Sequence, residues 1–392
     1  MKRLLASTLG ILAVATAGTA IAESKPVRIG YSIAKTGLFA PAAPSQINAY
    51  DLWAEQVNAR GGLDIGGKER RKVELIQYDD QSNPGKAVRI YERLITVDKV
   101  DLLLAPWGTP HHIAVASVLE RYKFPMVGNT AASVQLREMK PGNIWFSTSA
   151  FPDRLAKAMA EMLKQSGVKS AAVLTNQLPF GMENKKLLIP ELKKAGIKIV
   201  VNTDYPPNTK DMTAMLVAVK RAKPDAVIVH SYPGDSVLYV KKARELGLNA
   251  KYQYVMVGPA IGFFRGMFRG AADGIITLGH WSQFKNARSK AFFEAYVKKY
   301  KQEPDFLDSA ETWVSVEILE QAVAKAGLDK DKLRKTIATG SFDTIFGTVH
   351  FKGVENAVTK TGFLQIQKGK IHIVWPKDAA TNALQPKGPW PK

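Results

Sequence analysis

Gly62, Gly67 and Lys68 stand at the spacing of a phosphate-binding loop, where backbone N–H groups cradle phosphates and a lysine reaches them. Glu69 breaks the pattern, because a Ser or Thr is needed there to hold Mg²⁺. The glycines also follow a helical stretch and precede a strand, the reverse of the required order, so a helix-to-strand turn fits better. No G-x-S-x-G nucleophile elbow exists, since Gly234-Asp235-Ser236 runs on into Val237-Leu238. Adjacent His111 and His112 point to different sides of a helix and argue against a shared metal. His230, at the end of a strand, reads either as a satisfied hydrogen-bonding histidine or as a ligand contact. Without a nucleophile, base or cofactor cradle, the expectation is a binding protein and not an enzyme, needing neither cofactor nor metal.

Other loops have the chemistry of recognition. Trp107-Gly108-Thr109 follows one apolar run and opens a helix, and Gly128-Asn129-Thr130-Ala131-Ala132-Ser133 follows the next. Small and hydroxylated residues at a helix start let backbone approach an anion and add hydroxyl donors, although plain capping by Thr109 or Thr130 is the simpler use of either one. Further along, Asn176-Gln177-Leu178-Pro179-Phe180-Gly181 and Ser231-Tyr232-Pro233 also follow apolar runs. Phe180 and Tyr232 are candidates to wall an apolar ligand, or to serve as packing residues.

The elements that position these loops alternate strand and helix. Strands are expected at 27–31, 72–78, 101–105 and 125–127, with helices at 44–59, 84–96 and 110–122 between them. A second set runs through strands at 170–174, 198–202, 226–230 and 252–257. Their helices lie at 154–165, 182–195, 212–221 and 234–245, and more helices follow at 290–301, 311–326 and 330–339. Residues 349–374 read as a hairpin, and the Pro-rich tail 377–392 as loosely ordered. This rhythm implies an α/β chain with two doubly wound, mainly parallel sheets, because two such sheets exceed one core.

The 392 residues are 46% hydrophobic and contain no cysteine, which excludes disorder and a disulfide scaffold. Met1-Lys2-Arg3, the apolar Leu4–Ile21 and Ala20-Ile21-Ala22 have the form of a signal peptide cleaved after Ala22, leaving an exported chain. The formal charge of +20 falls by two, to +18, when Lys2 and Arg3 leave. Lysine pairs such as Lys185-Lys186 and Lys298-Lys299 are scattered over helix faces, so the charge reads as a solvated surface and no nucleic acid is expected. A polyanion-binding exported protein remains a rival reading.

Several of these segments together carry a family resemblance. Ile29-Gly30-Tyr31-Ser32, Thr36-Gly37, Val57-Asn58-Ala59-Arg60-Gly61-Gly62, Tyr78-Asp79-Asp80, Asn83-Pro84 and Phe180-Gly181 resemble the branched-chain amino-acid-binding type of periplasmic solute-binding protein. The resemblance covers about Val27 to Trp375. It implies the type I periplasmic-binding fold, with two lobes joined by a three-crossover hinge and closing on ligand. The expected lobes are 26–148 plus 281–345, and 149–280 plus 346–376.

The resemblance also implies that Gly108, Thr109, Thr130, Ala131 and Ala132 hold a ligand carboxylate. Trp107, Phe180 and Tyr232 would form an aromatic wall, with Phe39 standing in for an aromatic displaced near Ala42. The departure is at Gly258-Pro259-Ala260, where amino-acid-binding members resemble Gly-Pro-Glu and use the Glu against the ligand ammonium. With Ala260 there, the expected ligand is a small hydrophobic or aromatic carboxylate without an α-amino group. Arg265 reads as a surface arginine or a supplied cation. The implied partners are the permease and ATPase of an ABC importer, with the chain a monomer. Amino-acid binding, a sensor for a membrane receptor and an exported hydrolase are the alternatives.

Overall fold

The computed structural model describes residues 24–391, so the expected signal peptide lies outside the described residues. The chain begins β1 (Val27–Ile33), α1 (Ala43–Ala59), β2 (Leu63–Ile65), β3 (Glu69–Arg71), β4 (Val73–Asp79) and α2 (Pro84–Thr96). β5 (Leu102–Leu103), α3 (Thr109–Tyr122), β6 (Met126–Gly128), α4 (Val134–Glu138) and β7 (Ile144–Phe146) complete this part. β4 and β5 flank β1 in parallel, and β6 runs parallel to β7. Gly62 to Lys68 form no phosphate loop. β2 and β3 pair antiparallel as a hairpin whose turn includes Gly66 and Gly67, both at positive φ.

The second lobe contains α5 (Pro152–Gln165), β8 (Ser170–Asn176), α6 (Pro179–Lys194), β9 (Lys198–Tyr205), α7 (Thr213–Ala222) and β10 (Ala226–His230). α8 (Pro233–Glu245), β11 (Tyr252–Val255), α9 (Gly262–Phe268) and β12 (Ile275–Leu278) follow. The chain then returns to the first lobe through α10 (Ala287–Tyr300), α11 (Asp308–Ala326), α12 (Lys330–Thr339), β13 (Ser341–Thr344), β14 (Gly347–Lys352) and β15 (Glu355–Asn356). β16 (Phe363–Gln367) and β17 (Lys370–Trp375) finish the second sheet, ordered β17-β16-β12-β11-β10-β8-β9. Every residue of β10 is buried, as a strand covered by helices on both faces must be.

Two expectations need correction. Residues 346–376 do not form one second-lobe segment with a 349–374 hairpin. β14 pairs with β13 and β15, and β15 pairs in parallel with β7 of the first lobe, so only β16 and β17 form a second-lobe hairpin. Alternation of apolar residues marks a strand but not which sheet receives it. The tail after 376 is also docked. Gln385 and Gln365 exchange hydrogen bonds of 2.7 and 2.9 Å, the Lys387 amide donates to the Lys251 carbonyl, and Trp390 Nε1 donates to the Leu248 carbonyl.

Three crossovers connect the lobes, and they bond to one another. Thr361 Oγ1 donates to the Ser149 carbonyl at 2.6 Å, Ser149 Oγ lies 3.2 Å from His280 Nδ1, and the Gly279 amide reaches the Gly362 carbonyl at 3.4 Å. Beside them Glu355 accepts from Arg137 of the first lobe at 2.7 Å and pairs with Arg154 of the second.

Candidate functional site

The strands deliver loops to one cleft between the lobes. At the end of β5, Gln46 Nε2 donates to the Ala105 carbonyl at 2.7 Å and fixes the loop into α3. Gly108 precedes α3 at φ 84° and ψ 151°, a conformation that favours glycine. Its amide donates to Thr130 Oγ1 at 3.0 Å, and the Ala132 amide donates to Thr109 Oγ1 at 3.3 Å. The two threonines thus tie neighbouring loops together, where simple capping was the alternative, and they leave the start of α3 facing the cleft.

The second lobe supplies the opposite wall. Asp235 accepts from the Tyr232 amide (2.9 Å), Tyr205 Oη (2.6 Å) and Asn176 Nδ2 (3.0 Å), locking the strand-end loops that carry Tyr232 and Phe180. Burial raises the Asp235 carboxyl above its ordinary value, and these donors oppose the shift. Tyr232 is 3% exposed, and its hydroxyl has no hydrogen-bond partner among the described residues. Burial also raises its phenol, which stays neutral.

A cavity of about 410 Å³, its mouth included, lies between these walls. Of the expected residues, Trp107, Gly108, Thr109, Thr130, Ala131, Ala132, Phe180 and Tyr232 line it. Phe39 and Ala260 do not. Phe39 packs behind the wall, 5.0 Å from Trp107 and 5.8 Å from Tyr232 between ring centroids. Ala260 is fully buried in the turn Gly258–Ala260, and Val257 lines the cavity in its place.

Neither basic candidate reaches the cavity lining. Arg265 is paired with Glu303 at 2.7 Å and lies over the Phe306 ring, while His230 sits 3.2 Å from Thr175 Oγ1 and lines a separate small cavity. Burial drops the His230 imidazole to about 3, so it is neutral.

Sequence reasoning missed Thr148, Ala150, Val257, Leu278, Leu307, Asp308 and Glu311, which complete the lining. The acids matter most. Asp308 Oδ2 accepts from Trp107 Nε1 at 2.9 Å, and Glu311 Oε1 accepts from Thr148 Oγ1 at 2.5 Å. Burial pushes both carboxyls well above their ordinary values, Asp305 adding to each. Acidic residues in a first helical turn normally just complement the helix N-terminus, so their sequence signal was indistinct.

Two α/β lobes with three crossovers, closed on one buried cavity lined from both sides, define a hinged solute-binding protein. The chain belongs to the periplasmic binding protein family, which matches residues 26–370. It is 24% identical over 407 aligned positions to "Leu/Ile/Val-binding protein homolog 7" of Brucella suis, covering 98% of this chain and 99% of the relative. Among solved structures it resembles the branched-chain amino acid transporter substrate binding protein LivJ from Streptococcus pneumoniae in complex with isoleucine (TM-score 0.80, 21% identity, 88% of this chain and 98% of that one). It also resembles an ABC transporter solute binding protein from R. palustris in complex with benzoate (TM-score 0.78, 20% identity, 93% and 97%). These two likenesses establish the fold.

Proposed function

We propose that this chain is the periplasmic solute-capturing component of an ATP-driven importer, closing its lobes on a small carboxylate and presenting the closed form to a membrane permease. The observation that carries this reading is the pairing of walls. The start of α3 with Thr109 and Thr130 faces Phe180 and Tyr232 of the other lobe across one cavity. A helix start with adjacent hydroxyls suits an anion, and the rings suit an apolar body. Residues of both lobes line the cavity, so a solute enters by parting the lobes.

The solute we favour is a hydrophobic or aromatic acid without an α-amino group. Ala260 supports it, standing where amino-acid-binding relatives are expected to place a glutamate. Asp308 and Glu311 nonetheless bring acidic groups to the cleft, and when ionised they would answer an ammonium where Ala260 cannot. Branched-chain amino-acid capture is therefore the second reading, favoured by those two residues.

Calorimetry with benzoate, 3-phenylpropanoate, 4-methylpentanoate, leucine and phenylalanine tests both. Micromolar or tighter binding of the amine-free acids, weakened about fivefold by Tyr232→Phe and more by Thr109→Ala, is expected from the loss of roughly 1 kcal/mol per polar contact. Submicromolar leucine binding with no response to the amine-free acids would transfer the conclusion to the second reading. No heat from any of the five would remove the carboxylate function.

A further inference from the structure

Asp308 and Glu311 lie in the cavity that the proposed solute occupies, and each uses one oxygen to accept from a neighbour, Trp107 or Thr148. A solute carboxylate beside two ionised carboxylates would gather three like charges where Asp308 and Glu311 are each only 3% exposed. Such an arrangement costs more than the neighbouring start of α3 can offset.

The surrounding charges do not relieve it. Asp305, before α11, is a third buried carboxyl; it accepts from the Leu307 and Asp308 amides and from Ser45 Oγ. Arg265 on α9 acts on Asp305 but is paired with Glu303. The loop before α8 contributes the neutral Tyr232 hydroxyl, which the Phe180 and Gly181 amides face, and no Lys or Arg lines the cavity among the described residues. The Tyr232 hydroxyl and the two carboxyls thus line one cavity that has no cation among its lining residues.

We propose that Asp308 and Glu311 receive the solute carboxylate as neutral carboxylic acids, so that capture takes up protons from solvent. The idea rests on the carboxylate reading above. Each carboxyl that is ionised in the open form gains one proton as the lobes close, and its O–H donates to the solute; no other bond changes. Burial already holds both groups toward the neutral form in this closed arrangement.

The test is titration calorimetry of the full exported chain with benzoate, 3-phenylpropanoate, 4-methylpentanoate, leucine and phenylalanine at about pH 5.5 and about pH 7.5, in buffers of different ionisation enthalpy. Affinity should fall with rising pH by up to about tenfold per pH unit for each proton taken up. The buffer dependence of the heat should report uptake. Asp308→Asn and Glu311→Gln, made singly and together, keep a donor but cannot ionise. Each single variant should flatten part of the profile, so either suffices if the double variant does not fold.

Affinity that is level or rises with pH overturns the proposal. So does preference for leucine over 4-methylpentanoate and for phenylalanine over 3-phenylpropanoate, in which case the two residues act as ionised partners of an ammonium. Those results leave carboxylate capture intact, whereas silence from all five compounds removes both.

Discussion

Glu183 on α6 of the second lobe accepts a hydrogen bond of 2.8 Å from the backbone amide of Val134, the first residue of α4 in the first lobe. The Gln135 amide reaches the same oxygen at 3.3 Å. Glu183 does not line the cavity, so this contact joins the lobes away from the solute position.

Replacing Glu183 by Ala should therefore loosen the closed state without touching the solute. A charge-assisted, partly exposed contact of this kind is worth about 1 kcal/mol, or roughly a fivefold weakening of affinity. Stopped-flow measurement should place the change in the dissociation rate, because closure protects the bound solute. The thermal transition of the solute-free protein should move little. An unchanged dissociation rate would show that the lobes close without this latch.

Gly108→Ala probes the backbone at the start of α3. The nearest atom to an added Cβ is Pro110 Cδ at 3.8 Å, an ordinary contact, so the expected cost is torsional and comes from φ 84°. A non-glycine residue held in such a region costs of order 1–3 kcal/mol. Urea unfolding should register that loss, and solute titration a larger one, because the amide bonded to Thr130 would shift. Wild-type stability in this variant would mean that the loop relaxes to another conformation.

Stability should depend on pH from both sides. Burial lowers His112 to about 4 and His230 and His280 to about 3, below the ordinary 6.5. Their neutral forms contribute fully above 6.5, and that contribution is lost as pH falls toward 3–4, since the unfolded chain then binds protons more readily. Glu317 has the opposite sign. Burial raises it to about 7, so its contribution is complete below the ordinary 4.5 and is lost as pH rises through 7. Urea midpoints of wild type and Glu317→Gln should diverge between those values, the variant showing the shallower decline. Parallel curves would mean that the carboxyl titrates normally.

Local residues announced much of the architecture. Burial on both faces requires apolar strands, and amphipathic stretches between them require helices, so α1, α2, α5 and α11 were expected close to where they stand. The loops that line the cavity were readable for a related reason. Gly108, Thr109, Thr130, Phe180 and Tyr232 follow strand ends, and parallel α/β sheets collect ligands there. β14 and β15 were assigned to the wrong lobe because alternation records which face is buried and not which neighbour it meets.

The sequence by itself determined two α/β lobes, the strand-end loops and most of the cleft wall, because these follow from periodicity and turn chemistry within a few residues of one another. Only the tertiary structure decided that Phe39 and Ala260 stand outside the cavity lining, that the tail docks on the second lobe, and that Asp308 and Glu311 enter the cleft. The physical reason is distance along the chain. Asp308 meets Trp107 across about two hundred residues, and Glu311 meets Thr148 across more than one hundred and sixty. Their chemistry comes from burial beside partners that no local pattern encodes.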